Sequence, residues 1–423
     1  MLQIQKGKWS VKPETIRKID SWVGKPACFN LTCLRRFLEM ISPQAKPLPP
    51  IKKILFIKLI EQGATVLACT AIHRAVEMVG RVNVFFLVFE ENSAILEIMD
   101  LVPRENILII RNKGFITFAG DLVWGLGAIR RQDIDAVVDM EFFARASAII
   151  AFLTGAKRRV GLHRFTSELP YRGDLMTHRI QHNPYLHTAI AYSLLVEALA
   201  MPPGEIPMPK KTVPILPEKP PSFQAHREEV EIFRQALMRE GLDVKKGGPV
   251  ILLNPNASDM LPLRKWPLEN FFSLGTVILR EYPEARLVIT GAPVEKEAVE
   301  NLSLRWASSR VINLAGKTTL RELLILYTLA DILVTNDSGP AHFASLTDIH
   351  SIVLYGPETP KLFGALGKNS HALYAKLACS PCVNAFNHRF SPCTNNLCLQ
   401  SISPEEVYLK LKECLAARKM GFA

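Results

Sequence analysis

The chain alternates between short, continuous apolar runs and longer stretches in which apolar residues recur at helical spacing. The short runs predict strands buried on both faces of a parallel sheet, and the amphipathic stretches predict the helices that cover it. The predicted strands are 54–57, 82–89, 106–110, 135–139, 249–254, 286–290, 311–313, 331–335 and 351–355, and the predicted helices include 64–80, 146–153 and 183–199. This alternation predicts an α/β fold with two Rossmann-like, doubly wound sheets in tandem.

Proline-rich segments divide this pattern into domains. Residues 43–50 and 201–221 cannot continue a helix, because each proline lacks the amide donor and restricts the residue before it. They predict a basic extension and linker over 1–50, a first domain over 51–205 and a second domain over 215–423. Since ligands of doubly wound sheets bind at the carboxyl ends of the strands, we expect a cleft that both domains face.

Most of the net charge of +11 lies in the N-terminal extension, because residues 1–53 contain eleven Lys and Arg but only three acids. Trp9, Trp22, Phe29 and Phe37 lie among these cations, and residues 34–41 predict a short amphipathic helix. This composition suits an anionic membrane face or an anionic lipid-linked substrate; the alternative is a solvated extension that packs loosely on the first domain. Nucleic acid is not an expected partner, because no recognised binding module is present.

Two further absences in the sequence bear on where the protein acts. No apolar run approaches the ~20 residues that cross a bilayer. The first residues are not followed by the apolar segment of a secretory signal. We therefore expect a cytoplasmic protein, peripheral on the inner face of the cytoplasmic membrane.

The strongest local signal lies at residues 335–342, Thr-Asn-Asp-Ser-Gly-Pro-Ala-His, where a buried strand runs into a helix. Ser338 is expected to cap this helix, and Gly339 lets a ligand approach the backbone closely. Free amides and the positive end of the helix dipole form an anion site, to which His342 adds a donor. The alternative is a well-capped helix without a ligand. Asp337 would orient the loop or bind a sugar hydroxyl.

A second group of polar residues follows the first strand of the second domain. Residues 254–258 read Asn-Pro-Asn-Ala-Ser, and Arg264 and Lys265 precede a helix that opens at Pro267. Two adjacent cations can neutralise a leaving diphosphate as the donor bond breaks. The alternative is that both are surface charges. Trp266 is expected to be a core anchor in either case.

Five motifs occur in a fixed order along residues 54–402, and together they resemble glycosyltransferase family 9, the lipopolysaccharide heptosyltransferases. They are Thr-Gly-Ala-Lys-Arg-Arg-Val-Gly at 154–161, Arg-Lys-Trp-Pro at 264–267, Thr-Gly-Ala-Pro at 290–293, Asn-Leu-Ala-Gly-Lys-Thr at 313–318 and Asn-Asp-Ser-Gly-Pro-Ala-His at 336–342. The resemblance implies the GT-B fold. It also implies metal-independent, inverting transfer of a sugar, with ADP-heptose as donor and a lipopolysaccharide-type saccharide as acceptor.

The resemblance also implies roles for individual residues. Asp337, Ser338, Gly339 and His342 would hold the donor, and Arg264 or its neighbour Lys265 would take the place of the family's phosphate-binding lysine. Glu295 or Glu297 would bind the nucleoside, and Ala257 and Ser258 would lie near the diphosphate.

The first domain departs from the family pattern at one position. Family members carry a Gly-Asp pair in the loop after the first strand, and that Asp is the expected general base. Here Gly63 is present, but Ala64 stands at the Asp position and cannot accept a proton. Our hypothesis is that Glu61 replaces it as the base; the alternative is that Glu61 only favours the start of the next helix.

The acceptor is expected near Gly63 and the basic patch Lys157, Arg158 and Arg159. Because the expected base is missing, a nucleotide-sugar-binding protein without transferase activity is the main rival hypothesis. An epimerase with the same two-domain fold is a third possibility, although none of its motifs is present.

Four of the eight cysteines cluster late in the chain, at Cys379, Cys382, Cys393 and Cys398. Their spacing resembles a four-thiolate zinc site. Disulfides are disfavoured in the cytosol, so the alternatives are a structural zinc and free thiols. No catalytic metal or other cofactor is expected.

Overall fold

The computed structural model of the protein describes residues 20–41, 48–112, 114–212, 220–245, 247–257, 261–387 and 390–419. The chain forms two compact units, Met1–Pro217 and Glu218–Ala423. Each unit contains one six-stranded sheet in which every strand pair is parallel, and this confirms the predicted fold class.

The sheet of the first domain has the strand order β3-β2-β1-β4-β5-β6. Its central strands β1 and β4 are fully buried and apolar apart from Asp139 at the end of β4, because helices cover both of their faces. The strands are β1 (Ile54–Ile57), β2 (Val84–Phe89), β3 (Ile107–Ile110), β4 (Ala136–Asp139), β5 (Arg158–His163) and β6 (His178–Gln181).

The helices of the first domain connect these strands, and one precedes them. They are α1 (Gly24–Ile41), α2 (Gln62–Leu67), α3 (Cys69–Val79), α4 (Glu90–Met99), α5 (Phe115–Arg131), α6 (Arg145–Leu153) and α7 (Thr188–Glu197). Helix α1 packs on α6 through a buried side that includes Cys28 and Thr32. The single helix predicted over 64–80 is wrong in detail, since the chain turns at Ala68 and forms two helices there.

The sheet of the second domain has the order β12-β11-β10-β7-β8-β9, which is the same connectivity as in the first domain. Here the first strand, β7, again lies beside the fourth, β10, at the centre of the sheet. The strands are β7 (Val250–Asn254), β8 (Arg286–Ile289), β9 (Val311–Asn313), β10 (Ile332–Asn336), β11 (His350–Tyr355) and β12 (Ser370–Tyr374).

The helices of the second domain bury a large apolar cluster against this sheet, with Trp266 and Phe271 at its centre. They are α8 (Arg227–Arg239), α9 (Leu268–Glu281), α10 (Lys296–Leu304), α11 (Leu320–Leu329), α12 (Gly339–Ala344), α13 (Pro360–Phe363), α14 (Leu397–Gln400) and α15 (Pro404–Lys419). Within the described ranges, every helix is too short or too polar to span a bilayer.

Candidate functional site

Three neighbouring strands of the second domain, β7, β10 and β11, end at the same edge of the sheet. Asn336, the last residue of β10, fastens the loop after β7 to the end of β10 from a fully buried position. Its Oδ1 accepts from the Trp266 amide at 2.9 Å, and its Nδ2 donates to the carbonyl oxygens of Pro255 at 3.0 Å and Asn256 at 3.2 Å. The two polar groups that were separate in the sequence therefore lie together.

Trp266 fixes the backbone of the basic motif. Its side chain is 1% exposed and its indole Nε1 donates to the Ile402 carbonyl at 2.9 Å, which confirms the predicted core anchor. Asn396 holds the residues on either side of Arg264, because its Nδ2 donates to the carbonyl oxygens of Leu263 at 2.9 Å and Lys265 at 2.8 Å. The backbone on both sides of Arg264 is thus held in place.

Arg264 meets two buried carboxyl groups at this edge. Its Nη1 lies 3.4 Å from Glu358 Oε2, and Glu358 forms a side-chain hydrogen bond with Asp337. Both acids are 2% exposed. Burial, followed by the charge of Asp337, raises the pKa of Glu358 to about 8, and burial also raises the pKa of Asp337 against the opposing charge of Arg264. Glu358 was missed in the sequence, where Gly-Pro-Glu-Thr resembles a surface turn.

Helix α12 starts directly after Asp337. Ser338 occupies the N-cap position, but the expectation that its side chain caps the helix is wrong, because its Oγ donates to the Asn336 carbonyl at 3.2 Å. A Cβ at Gly339 would lie 3.1 Å from the Phe343 ring, so a larger residue would press on that ring. His342 is buried in the first turn.

Glu295 lies in the loop after β8, at the carboxyl edge of the second sheet. Its Oε2 accepts from the Ala292 amide at 2.6 Å, so the carboxylate bends back over the loop. A Cβ at Gly291 would lie 2.8 Å from Asn256 Nδ2 and 3.1 Å from Glu295 Oε2. Because Asn256 is itself bound to Asn336, Glu295 belongs to the same group of loops. Ser258 lies outside the described residues.

In the first domain, the loop after β1 carries a cluster of opposite charges. Lys58 is fully buried, and its Nζ lies 3.2 Å from Glu61 Oε2 and 3.1 Å from Glu141 Oε2. Glu141 Oε1 accepts from the amides of Leu59 at 2.7 Å and Ile60 at 3.3 Å. Lys58 thereby joins the loops after β1 and β4.

Glu61 is the outermost member of this cluster, with 22% of its side chain exposed. Its φ of 70° is left-handed, a conformation that is costly for a residue with a Cβ. It stands at the N-cap of α2, but its carboxylate makes no capping bond. Gly63 and Ala64 lie within that helix, so Glu61 is the acid that this loop places nearest to the helix start.

A second acid at this edge, Asp139, is enclosed in a network of its own. Its Oδ2 accepts from Arg172 and from Ser147 Oγ, the latter at 3.0 Å, and its Oδ1 accepts from the Glu141 amide at 3.0 Å. Complete burial raises the pKa of Asp139, while Arg172 opposes that shift. Since Asp139 is surrounded by these groups, it positions Glu141.

A cavity of ≈ 460 Å³ opens beside this network, between the ends of β4–β6 and helix α7. This size is typical of a small-molecule site, as are mainly apolar walls with a few polar groups. Tyr192 contributes a buried hydroxyl that finds no hydrogen-bond partner among the described residues, and burial raises its pKa to about 12. Polar groups in the walls include Asp139, Gln181, His182, Asn183, Tyr192 and Lys211.

The basic patch expected beside Gly63 lies elsewhere. Arg158 and Arg159 begin β5, at the amino edge of the parallel sheet, whereas Gly63 follows the carboxyl end of β1. Arg159 is buried and donates to the carbonyl oxygens of Leu175 at 2.8 Å and Ala156 at 2.5 Å; burial lowers its pKa to about 10. Arg158 binds the Pro49 carbonyl at 2.6 Å, and Lys157 is exposed. The expected location beside Gly63 is therefore wrong, and both arginines donate to backbone carbonyls where they lie.

The late cysteines do not assemble into the predicted zinc geometry. Among the described residues, no three of these four cysteines bring their sulfur atoms within 4.8 Å of one another. The potential metal ligands that do lie this close together are His350, His371 and Cys414. Cys393 and Cys379 are exposed, whereas Cys398 is buried. His350 Nδ1 lies 3.3 Å from His371 Nε2 with the rings nearly parallel, which is a hydrogen-bonded pair of imidazoles.

Comparison with known proteins connects both domains to one family. Residues 126–389 match the sequence profile of Glycosyltransferase family 9 (heptosyltransferase), which is more than half of the chain. The lipooligosaccharide heptosyltransferase 2 of Campylobacter jejuni is 26% identical over 196 residues. That alignment covers 45% of this chain and 60% of the relative, so the chain spans less than two thirds of its length.

Two solved structures have the same fold. Escherichia coli ADP-heptose LPS heptosyltransferase II superposes with a TM-score of 0.64 at 18% identity, over 87% of this chain and 99% of that one. The E. coli heptosyltransferase WaaC with ADP gives a TM-score of 0.59 at 17% identity, over 86% and 99%. The tandem parallel sheets, the ordered motifs and the profile match agree, and the chain belongs to glycosyltransferase family 9.

Proposed function

We propose that the protein is an inverting glycosyltransferase that moves heptose from ADP-heptose to a lipopolysaccharide-type saccharide. The family match over residues 126–389 carries this proposal, since it includes the loops that meet at the carboxyl edge of the second sheet. Relatives named lipooligosaccharide heptosyltransferase and lipopolysaccharide heptosyltransferase support this choice of donor and acceptor.

The second domain supplies the donor site in this proposal. Arg264 and Lys265 neutralise the diphosphate, and this matters most as the bond to the sugar breaks. The start of α12, with Ser338, Gly339 and His342, holds the donor beside Asp337. Glu295, bent over the loop after β8, binds the nucleoside. Asn336 fastens the loop that carries Arg264 to the end of β10, so the donor meets preorganised groups there.

The first domain supplies the base. Glu61 removes the proton from the acceptor hydroxyl, and the oxygen attacks the anomeric carbon on the face opposite the leaving ADP, which inverts that centre. Its partial exposure leaves the carboxylate accessible, while Lys58 at 3.2 Å orients it. The cavity beside Asp139 and Tyr192 receives part of the acceptor.

The test is sugar transfer by a Glu61→Gln variant, followed as ADP release with ADP-heptose, a heptose-free lipopolysaccharide core as acceptor, and EDTA present. Loss of the base should lower the rate by roughly 10²–10⁴-fold, because amide nitrogen cannot accept the proton. The matched control is Glu97→Gln. Glu97 lies on α4, 3.7 Å from Arg104 and outside the Lys58 cluster, so this variant should transfer sugar at the normal rate. Normal turnover by Glu61→Gln would contradict the assignment of the base.

The same assay separates the transferase from its main rival, a binding protein of the same fold, which Ala64 at the family's Asp position favours. Titration of the unaltered protein with ADP by calorimetry gives donor binding independently of transfer. Binding without any ADP release from ADP-heptose would support the rival.

We also propose that helix α1 docks the protein on an anionic membrane face. The helix buries Cys28 and Thr32 against the domain but leaves Phe29 59%, Phe37 54% and Met40 74% exposed. An apolar helix face of this kind binds at the headgroup boundary, and nearby cations add attraction to anionic lipids. Residues 1–19 and 42–47 of the basic extension lie outside the described residues.

Sedimentation with vesicles tests this surface. The protein should bind phosphatidylglycerol-containing vesicles more tightly than pure phosphatidylcholine vesicles. The double substitution Phe29→Ser and Phe37→Ser should weaken binding by at least ~10-fold, since each buried phenyl ring contributes ~1.5–3 kcal/mol. Leu304→Ser, an equally exposed apolar position on α10, serves as the control and should bind normally. Equal sedimentation of all three proteins would contradict docking through α1.

A further inference from the structure

Glu358 is a buried acid that the donor site as described leaves without a role. It follows β11 by three residues, in the loop that lies beside the loop after β10. Its side chain is 2% exposed, and a carboxyl group is rarely buried to that degree unless a partner or a proton compensates.

The partners of Glu358 come from the two other loops of the site. Arg264, in the loop after β7, places Nη1 3.4 Å from Glu358 Oε2, and only 16% of the Arg264 side chain is exposed. Asp337, after β10, forms a side-chain hydrogen bond with Glu358. No N–H or O–H group within the described part of the chain donates to Asp337 Oδ2, so a proton held by Glu358 supplies the donor that this buried oxygen needs.

Several described neighbours of this trio are uncharged. Tyr355, the last residue of β11, stays neutral because burial raises its pKa well above the ordinary value. The segment that packs on the Glu358 loop contributes the Val383 amide, 3.0 Å from the Pro357 carbonyl, and the Ser380 hydroxyl on the Gly356 carbonyl. Cys398, also against Gly356, remains a thiol because burial raises its pKa.

The protonation of Glu358 therefore changes the charge at this edge by one unit. With both acids ionised, Arg264 balances only one of the two carboxylates, and the other weakens the attraction for a diphosphate. With a proton on Glu358 the trio is neutral, and Arg264 keeps an orientation fixed by a hydrogen bond. Burial and the charge of Asp337 raise the pKa of Glu358 to about 8, so the neutral arrangement prevails at neutral pH.

We propose that Glu358 is a positioning residue of the donor site: it orients Arg264 and shares a proton with Asp337, which leaves Arg264 a single carboxylate to balance and the site ready for a nucleoside diphosphate. This inference rests on the proposed function, because it takes the donor diphosphate to lie beside Arg264. Glu358 acts on the donor through Arg264 and Asp337.

The experiment is calorimetric titration of the full chain with ADP at pH 7 and pH 9. The affinity of the unaltered protein should fall by roughly 10-fold between these values, following the protonated fraction of a group with a pKa of about 8. Glu358→Gln keeps the shape and a hydrogen-bond donor but cannot ionise, so its affinity should change by less than ~2-fold over the same range.

Two more variants separate positioning from folding. Glu269 also pairs with an arginine, Arg305 at 2.7 Å, but on the exposed surface of α9. The ADP affinity of Glu269→Gln should therefore change with pH as that of the unaltered protein does. Glu358→Ala should weaken ADP binding at pH 7 by at least ~10-fold, the loss expected when a hydrogen bond to a charged group disappears, with Gln restoring it. Thermal melting checks that each variant is folded.

The outcomes separate the two proposals. A flat profile for Glu358→Gln beside a falling profile for the unaltered protein supports the role of Glu358. An equal decline in both overturns that role and leaves the donor site intact. Absence of ADP binding by the folded, unaltered protein overturns the donor site, and the role of Glu358 with it.

Discussion

The carboxyl edges of the two domains are built on sheets of identical connectivity, yet they balance their acids differently. At the first edge, a buried cation lies against each acid: Lys58 lies between Glu61 and Glu141, and Arg172 binds Asp139. At the second edge, two buried acids contact each other, because Glu358 forms a side-chain hydrogen bond with Asp337 and also lies against Arg264. The strand order fixes where the loops meet, whereas the contacts between the side chains decide how the acids there are compensated.

This difference separates two kinds of chemistry. A partly exposed carboxylate that a lysine orients suits the role of base that we propose for Glu61. Two carboxyl groups in contact can share a proton, which suits the anionic ligand that we propose for the second edge. In this proposal, one edge accepts a proton and the other retains one.

The largest expected effect comes from removing the cation at each edge. Arg172→Met leaves Asp139 buried without a counterion and should destabilise the first domain by about 3–5 kcal/mol. Arg264→Met should cost the second domain less than about 2 kcal/mol, because Asp337 and Glu358 can take up a proton instead. Hydrogen exchange in denaturant, followed by mass spectrometry, reports on peptides of each domain separately.

Arg111→Met is the control for this pair of variants. Arg111 binds Asp121 at 2.7 Å but lies on the surface, so its removal should have a much smaller effect than that of Arg172. A similar loss of stability in Arg172→Met and Arg264→Met would remove the distinction between the two edges.

A smaller effect should appear on acidification, and it should arise in the first domain. His178 is fully buried, and burial lowers its pKa to about 4. The folded state therefore binds fewer protons than the unfolded state between pH 6.5 and 4, so stability is complete above pH 6.5 and is lost as the pH falls. Between pH 7 and pH 4.5, His178 should lower the free energy of unfolding by on the order of 2 kcal/mol, and His178→Gln should abolish this contribution.

Denaturant unfolding at the two pH values measures this loss. His73 is exposed on α3, and His73→Gln should keep the full acid sensitivity of the unaltered protein. If His178→Gln lost as much stability on acidification as the unaltered protein, the cause would lie in another group.

Much of the fold could be predicted from the pattern of apolar residues, because the central strands of both sheets are buried on both faces. The strands β5, β6 and β12 were missed, and each carries polar residues within its span, such as Arg158 and His178. Two of the three, β6 and β12, are edge strands, where half-burial weakens the apolar signal.

The candidate site was predictable where one continuous segment carries it, as residues 335–342 do. Glu358 was not, because its burial results from three loops that converge only in the folded chain. The patch at Arg158 and Arg159 was misassigned for the opposite reason. A run of cations resembles a binding surface in sequence, but backbone carbonyls take up both guanidinium groups.

The hydrogen bonds of Asn336 and Asn396 have a consequence for engineering. Asn336 fastens the chain at Pro255 and Asn256 and again at Trp266, while Asn396 fastens Leu263 and Lys265. The segment 257–262 is therefore anchored at both of its ends. Because the anchoring side chains lie outside this segment, a change in its length would leave in place the hydrogen bonds that hold the backbone on both sides of Arg264.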